Sequence, residues 1–221
     1  MSEAPQPGHG PLSLSALQRD LAAELFSLER GLPHTFVQVW RAPAAVAARY
    51  ADTRDPGLVR PLRYLLIAVA GYSALAWFLM SKLGLAERLA LTPLQSAQSE
   101  FVIQHAGWIV LVVVPAIAGL LRAFEYPRAG SYVHAMVLVA YTQAQALWVQ
   151  ALVLTPLAFL ALPWLPAAVS LLVAIWLLWA WSRYYPGRPV RAWIAAFVAL
   201  VAGTAINQVV VQLALRWFGP A

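Results

Sequence analysis

The sequence predicts an all-α fold: a polytopic integral membrane bundle of five transmembrane helices behind an amphipathic N-terminal helical segment. Three observations predict it. From Ala129 to Ser182 the chain runs for 54 residues without an Asp, Glu, Lys or Arg. A bilayer's hydrocarbon core takes about 20 apolar residues per helical span, so this run holds two spans and a short join. Hydrophobic residues make up 62% of the chain and charged residues 11%, with a mean hydropathy of +0.68. Soluble domains carry about 25% charged residues. Lastly, the basic residues flank the apolar runs instead of entering them, as topology signals do.

The net charge of +6 and pI near 10.1 are therefore assigned to membrane topology. They point to lipid as the partner, with no nucleic acid. The chain has no cysteine, which excludes disulfides, thiol chemistry and cysteine metal sites. Residues 1–60 contain neither a basic start nor an apolar h-region, so the first span is expected to direct insertion itself.

Residues 1–11 are rich in Pro and Gly and read as a disordered tail. Residues 12–58 read as a cytoplasmic amphipathic helical segment. Leu14, Leu17, Leu21, Leu25 and Leu28 recur at helical spacing, with Ser15 and Gln18 as a capping box. Gly31-Leu32-Pro33 is expected to end that helix. A second amphipathic stretch follows, with Phe36, Val39, Trp40, Val46 and Tyr50 on its apolar side and Pro43 expected to bend or restart it. Either it lies in the headgroup layer or it packs on the protein's own loops. The membrane domain, residues 59–221, holds spans over about 62–81, 102–122, 131–154, 166–183 and 191–215. The second contains Pro115, which membrane helices tolerate. Pro156, Pro163 and Pro166 fall in or beside the join of the third and fourth spans.

Arginine placement fixes the expected orientation. With the N-terminus cytoplasmic, the inner flanks carry Arg60, Arg63, Arg122, Arg128, Arg183, Arg188 and Arg191, against Lys82, Arg88 and Arg216 outside. Such a bias is the positive-inside pattern. Tyr64, Trp108, Tyr126, Tyr132, Trp164, Trp181, Tyr184, Tyr185, Trp193 and Trp217 stand near span ends and read as aromatic belts.

The order of local motifs, RGLPHTFVQVWRAPAAVAARY then RPLRYLL then YPRAGSYVHAMVLVAYTQAQALW, resembles an uncharacterised bacterial polytopic membrane family, domain of unknown function three-six-six-seven. The resemblance spans roughly residues 30–215 and implies a cytoplasmic (inner) membrane protein. The chain departs from that family at Val133-His134, where Glu-His is usual, and lacks its N-terminal zinc ribbon. In architecture alone, five spans behind a cytoplasmic segment are similar to Yip-type membrane proteins.

Candidate binding residues lie in the third and fifth spans. His134 is the third span's only histidine, and intramembrane ionisable groups are functional candidates by default. Tyr141 and Gln145 follow at helical spacing and share its face. This polar stripe either lines a small cavity or joins helices through hydrogen bonds. In the fifth span Ala195, Ala199 and Gly203 form a small-xxx-small packing seam, continued by Asn207, with Gln208 on an adjacent polar ridge. Arg60, Arg63, Arg122, Arg128, Arg183, Arg188 and Arg191 serve topology and lipid headgroups.

No catalytic residues, cofactor or metal site are assigned. No span contains a carboxylate for acid–base work, the histidines lack H-x-x-x-H spacing, and no Gly-rich phosphate loop occurs. The expected function is a non-catalytic scaffold or partner-binding membrane module, engaging a protein partner or a second copy. The alternative is a small transporter or channel with a polar path between the third and fifth spans.

Overall fold

The computed structural model describes residues 31–89, 91–124, 132–160, 164–184 and 189–218. All elements among these residues are helical. Residues 31–41 form α1, followed by α2 (Pro43–Thr53), α3 (Pro61–Lys82), α4 (Leu85–Arg88), α5 (Pro93–Ala123), α6 (Tyr132–Leu160), α7 (Leu165–Ser182) and α8 (Pro189–Phe218). The five long apolar helices α3, α5, α6, α7 and α8 are each long enough to cross a bilayer. This is a multi-pass, all-α membrane protein.

Gly31, Leu32 and Pro33 are themselves helical, where the sequence led us to expect a stop. Pro43 does act as expected. It opens α2, and Ala42 before it leaves helical geometry at φ −148° and ψ 63°, because the proline ring disfavours helical backbone in its predecessor. The tail over 1–11 and the Ser15/Gln18 capping box lie outside the described residues.

α5 begins at Pro93, well before the expected start at residue 102. The reason is local and visible. Thr92 Oγ1 accepts the Gln95 N–H at 3.3 Å, while Gln95 Oε1 accepts the Thr92 N–H at 2.9 Å. This capping box satisfies donors that a helix start otherwise leaves open. Proline at the next position costs nothing, since its missing N–H would be unpaired there anyway. With 31 residues at 1.5 Å each, α5 runs about 46 Å. Its polar first turns therefore project beyond the apolar layer. Likewise α6 continues through Pro156 to Leu160.

α6 is the hub. Its spanning stretch is 56% buried, against 28–33% in the other four. It packs against α2, α3, α5 and α7, with α3 its most extensive partner. α8 sits at the side and packs on α5 and α7. The starts of α3, α6 and α8 and the ends of α5 and α7 share one end of the bundle, where Arg191 Nη2 donates to the Phe124 carbonyl at 2.6 Å. α1 and α2 cover this same end. Trp40 of α1 stacks on Trp176 of α7 at 5.2 Å, and Val39, Val46 and Ala47 are buried in the main core. Residues 31–53 of the amphipathic segment are thus docked on the bundle through their own apolar face.

The aromatic belt needs correction at two positions. Trp108, Tyr132, Trp164, Trp193 and Trp217 are exposed, but Tyr64 and Trp181 are fully buried. Nearness to a span end sets the depth of a ring, not the direction in which the helix turns it. Tyr184 is half-buried, and Tyr126 and Tyr185 lie outside the described residues.

Candidate functional site

The inward polar groups of α6 engage the chain at successive levels. Nearest its start, His134 Nε2 lies 2.8 Å from Asp52 Oδ1, which ties α2 to the first turn of α6. Further in, the buried Tyr141 hydroxyl donates to the Val59 carbonyl at 2.7 Å. The Val59 N–H donates to Thr35 Oγ1 at 3.0 Å. Both backbone groups of this buried connecting residue are therefore satisfied by side chains, one from α1 and one from α6. Unpaired, each would carry the cost of a lost hydrogen bond. One turn deeper, Gln145 Oε1 accepts the Tyr64 hydroxyl proton at 2.8 Å. The Gln145 Nε2 is buried with no hydrogen-bond partner among the described residues.

Aromatic rings fill the space between these bonds. Tyr50 meets Tyr141 edge-on at 6.0 Å, and Tyr64 lies 5.9 Å from Tyr141. Toward α7, Thr142 Oγ1 donates to the Leu138 carbonyl at 2.9 Å and accepts from Trp181 Nε1 at 3.0 Å. The structure thus brings His134, Tyr141 and Gln145 onto one contiguous seam with α2 and α3. Asp52, Thr35, Val59 and Tyr64 complete it, and sequence reasoning missed all four. Their partners lie 24 to 82 positions away. Only the polarity of the third span signalled that such partners were needed.

The α8 candidates form a separate group. Ala195, Ala199 and Gly203 are buried, and at Gly203 the seam faces α5. A Cβ there would lie 2.8 Å from both Cγ1 and Cδ1 of Ile117. Asn207 is half-buried and Gln208 exposed. Since α8 packs on α5 and α7, these two residues are not brought together with His134, Tyr141 and Gln145. Among the arginines, Arg60 is exposed and Arg63 half-buried at the start of α3, and Arg122 is half-buried at the end of α5. Arg183 lies over the Trp179 ring at 5.8 Å. Arg128 and Arg188 lie outside the described residues.

Among the described residues this arrangement consists of hydrogen bonds, ring contacts and one Asp–His pair. Among the described residues no three His, Asp or Glu side chains are grouped to hold a metal ion. Comparison with protein-family models, with curated proteins and with solved structures gives no match.

Proposed function

We propose that this protein is a non-catalytic membrane module, a scaffold that presents a rigid docked segment to a protein partner or a second copy of itself. One observation carries the reading. Three inward polar side chains of the central helix are engaged in the chain's own contacts: His134 with Asp52, Tyr141 with Val59, and Gln145, through its Oε1, with Tyr64. A solute pathway needs polar groups left facing a cavity, whereas helix joining consumes them. The test is flux through proteoliposomes loaded with small neutral and zwitterionic solutes. Rates equal to those of protein-free vesicles are expected. Flux above that level, abolished by Gln145→Leu, would transfer the function to a transporter.

The same reading puts the docked segment on the cytoplasmic side of a bacterial inner membrane. Its support is the arginine asymmetry, with Arg60, Arg63, Arg122, Arg183 and Arg191 at the end covered by α1 and α2. The absence of native cysteine gives a clean assay. Thr53 of α2 is exposed, and Thr53→Cys in intact cells is expected to resist a membrane-impermeant maleimide and to react after lysis. Labelling in intact cells would reverse the orientation.

A further inference from the structure

The corner between α2 and α3 carries a cavity of about 610 Å³ bordered by Tyr50, Arg54, Asp55, Leu58, Arg60 and Arg63. Its volume falls within the range of about 300–1,000 Å³ usual for small-molecule sites. Three arginines, Arg54, Arg60 and Arg63, border this one cavity. The carboxylate at the rim, Asp55, is already engaged. Its Oδ2 lies 3.0 Å from Arg49 Nε, and its Oδ1 accepts the Gly57 N–H at 2.8 Å. Among the described residues, the side chains of Arg54 and Arg60 make no hydrogen bond or ion pair. These two guanidinium groups therefore stand at the cavity without a carboxylate partner among the described residues.

The corner is also stiff. Arg54 occupies left-handed backbone at φ 51°, costly for a residue with a Cβ. It is held there as the cap of α2, its N–H donating to the Tyr50 carbonyl at 2.9 Å. Val59, on the opposite wall, is fixed by Thr35 and Tyr141. The backbone that carries these arginines is thereby held, and guanidinium groups suit the bidentate recognition of phosphate oxygens. Beyond the arginines, α3 turns Leu62 and Leu66 outward, 55% and 46% exposed, along the same edge of a membrane-spanning helix. A charged cavity at the start of a span, continued by an apolar strip, fits an amphiphile.

We propose that the Arg54–Arg60–Arg63 corner is a binding site for the phosphate headgroup of an anionic phospholipid, with an acyl chain laid along Leu62 and Leu66. The site is independent of the scaffold reading, since a transporter would hold such a lipid equally well.

The experiment is a thermal-shift titration of the full-length protein in neutral detergent. The probes are phosphatidylglycerol, phosphatidylcholine, glycerophosphate and inorganic phosphate. Phosphatidylglycerol alone is expected to raise the melting temperature. Arg54→Gln and Arg60→Gln should each raise the half-saturating lipid fraction about tenfold, while melting as the wild type does in phosphatidylcholine. Arg216→Gln, the same charge change at the far end of α8, should leave the titration unaltered. An equal loss in Arg216→Gln, or an unchanged titration in Arg54→Gln/Arg60→Gln, would overturn the site. An equal shift from glycerophosphate or inorganic phosphate would overturn the lipid assignment in favour of a soluble phosphate compound. Should the Gln variants fail to fold, Arg60→Lys keeps the charge but loses the forked donors. Native mass spectrometry must then show fewer bound phosphatidylglycerol molecules than in the wild type, and equal occupancy would overturn the proposal.

Discussion

Leucine at Gly203 is expected to break the packing of α8 on α5, with the largest loss of stability of any single change considered for this protein. A Cβ alone would stand 2.8 Å from Ile117 Cγ1 and Cδ1, well inside van der Waals contact. Overpacking a filled interface costs about 1–3 kcal/mol for small insertions, and occasionally more. Alanine at this position offsets part of that cost through its better helix propensity, about 1 kcal/mol over glycine. Leucine adds three further carbons against the same wall, and a loss above about 3 kcal/mol is expected. Gly119 on α5 supplies the control, because a Cβ there meets nothing within 4 Å. Gly119→Ala should be neutral or stabilising in the same denaturation assay. Ile117→Ala should recover part of the Gly203→Leu loss, since the two changes share one space. Wild-type stability for Gly203→Leu would mean that α8 does not approach α5 in this register.

The second large effect is expected at Val59. Tyr141→Phe removes the donor to its carbonyl, and Thr35→Val removes the acceptor of its N–H. Each change leaves one buried backbone group without a partner, at a cost of about 1–3 kcal/mol. The double variant should lose less than the sum of the two, because the first change loosens the connection that the second depends on. Hydrogen exchange gives the sharper reading. Amides of residues 58–60 should exchange at least about tenfold faster in either variant, tenfold corresponding to about 1.4 kcal/mol. Exchange in the middle of α8, remote from this contact, should not change. Protection unaltered at 58–60 would show that Thr35 and Tyr141 do not hold the corner.

Composition and hydropathy were sufficient for the five spans, because a bilayer imposes length and polarity on each helix separately. What they left out depends on direction around a helix axis. Tyr64 and Trp181 were legible as span-end aromatics, yet both turn inward, each to a hydroxyl or carboxamide on α6. The early start of α5 is in fact written in the sequence, as Thr92-Pro93 with Gln95, but the apolar run beginning at Phe101 masks it. His134, Tyr141 and Gln145 could be recognised as one polar face. Their partners could not, since nothing local to the third span encodes Asp52, Val59 or Tyr64. The cavity at the α2–α3 corner was equally hidden. Arg60 and Arg63 were legible as topology and lipid-headgroup charges, but nothing in the sequence placed Arg54 beside them around one space.

The central position of α6 also sets an order of events during synthesis. Val59 and Tyr141 are 82 positions apart, and Tyr64 and Gln145 are 81 apart. At about 5–20 residues per second, the ribosome needs roughly 4–16 s to make that stretch. Through that interval α3 has no Gln145 to receive its Tyr64 hydroxyl, and the N-terminal helices have no surface on which to settle. The first third of the polypeptide waits on the middle third, and α6 is the keystone whose arrival closes the structure.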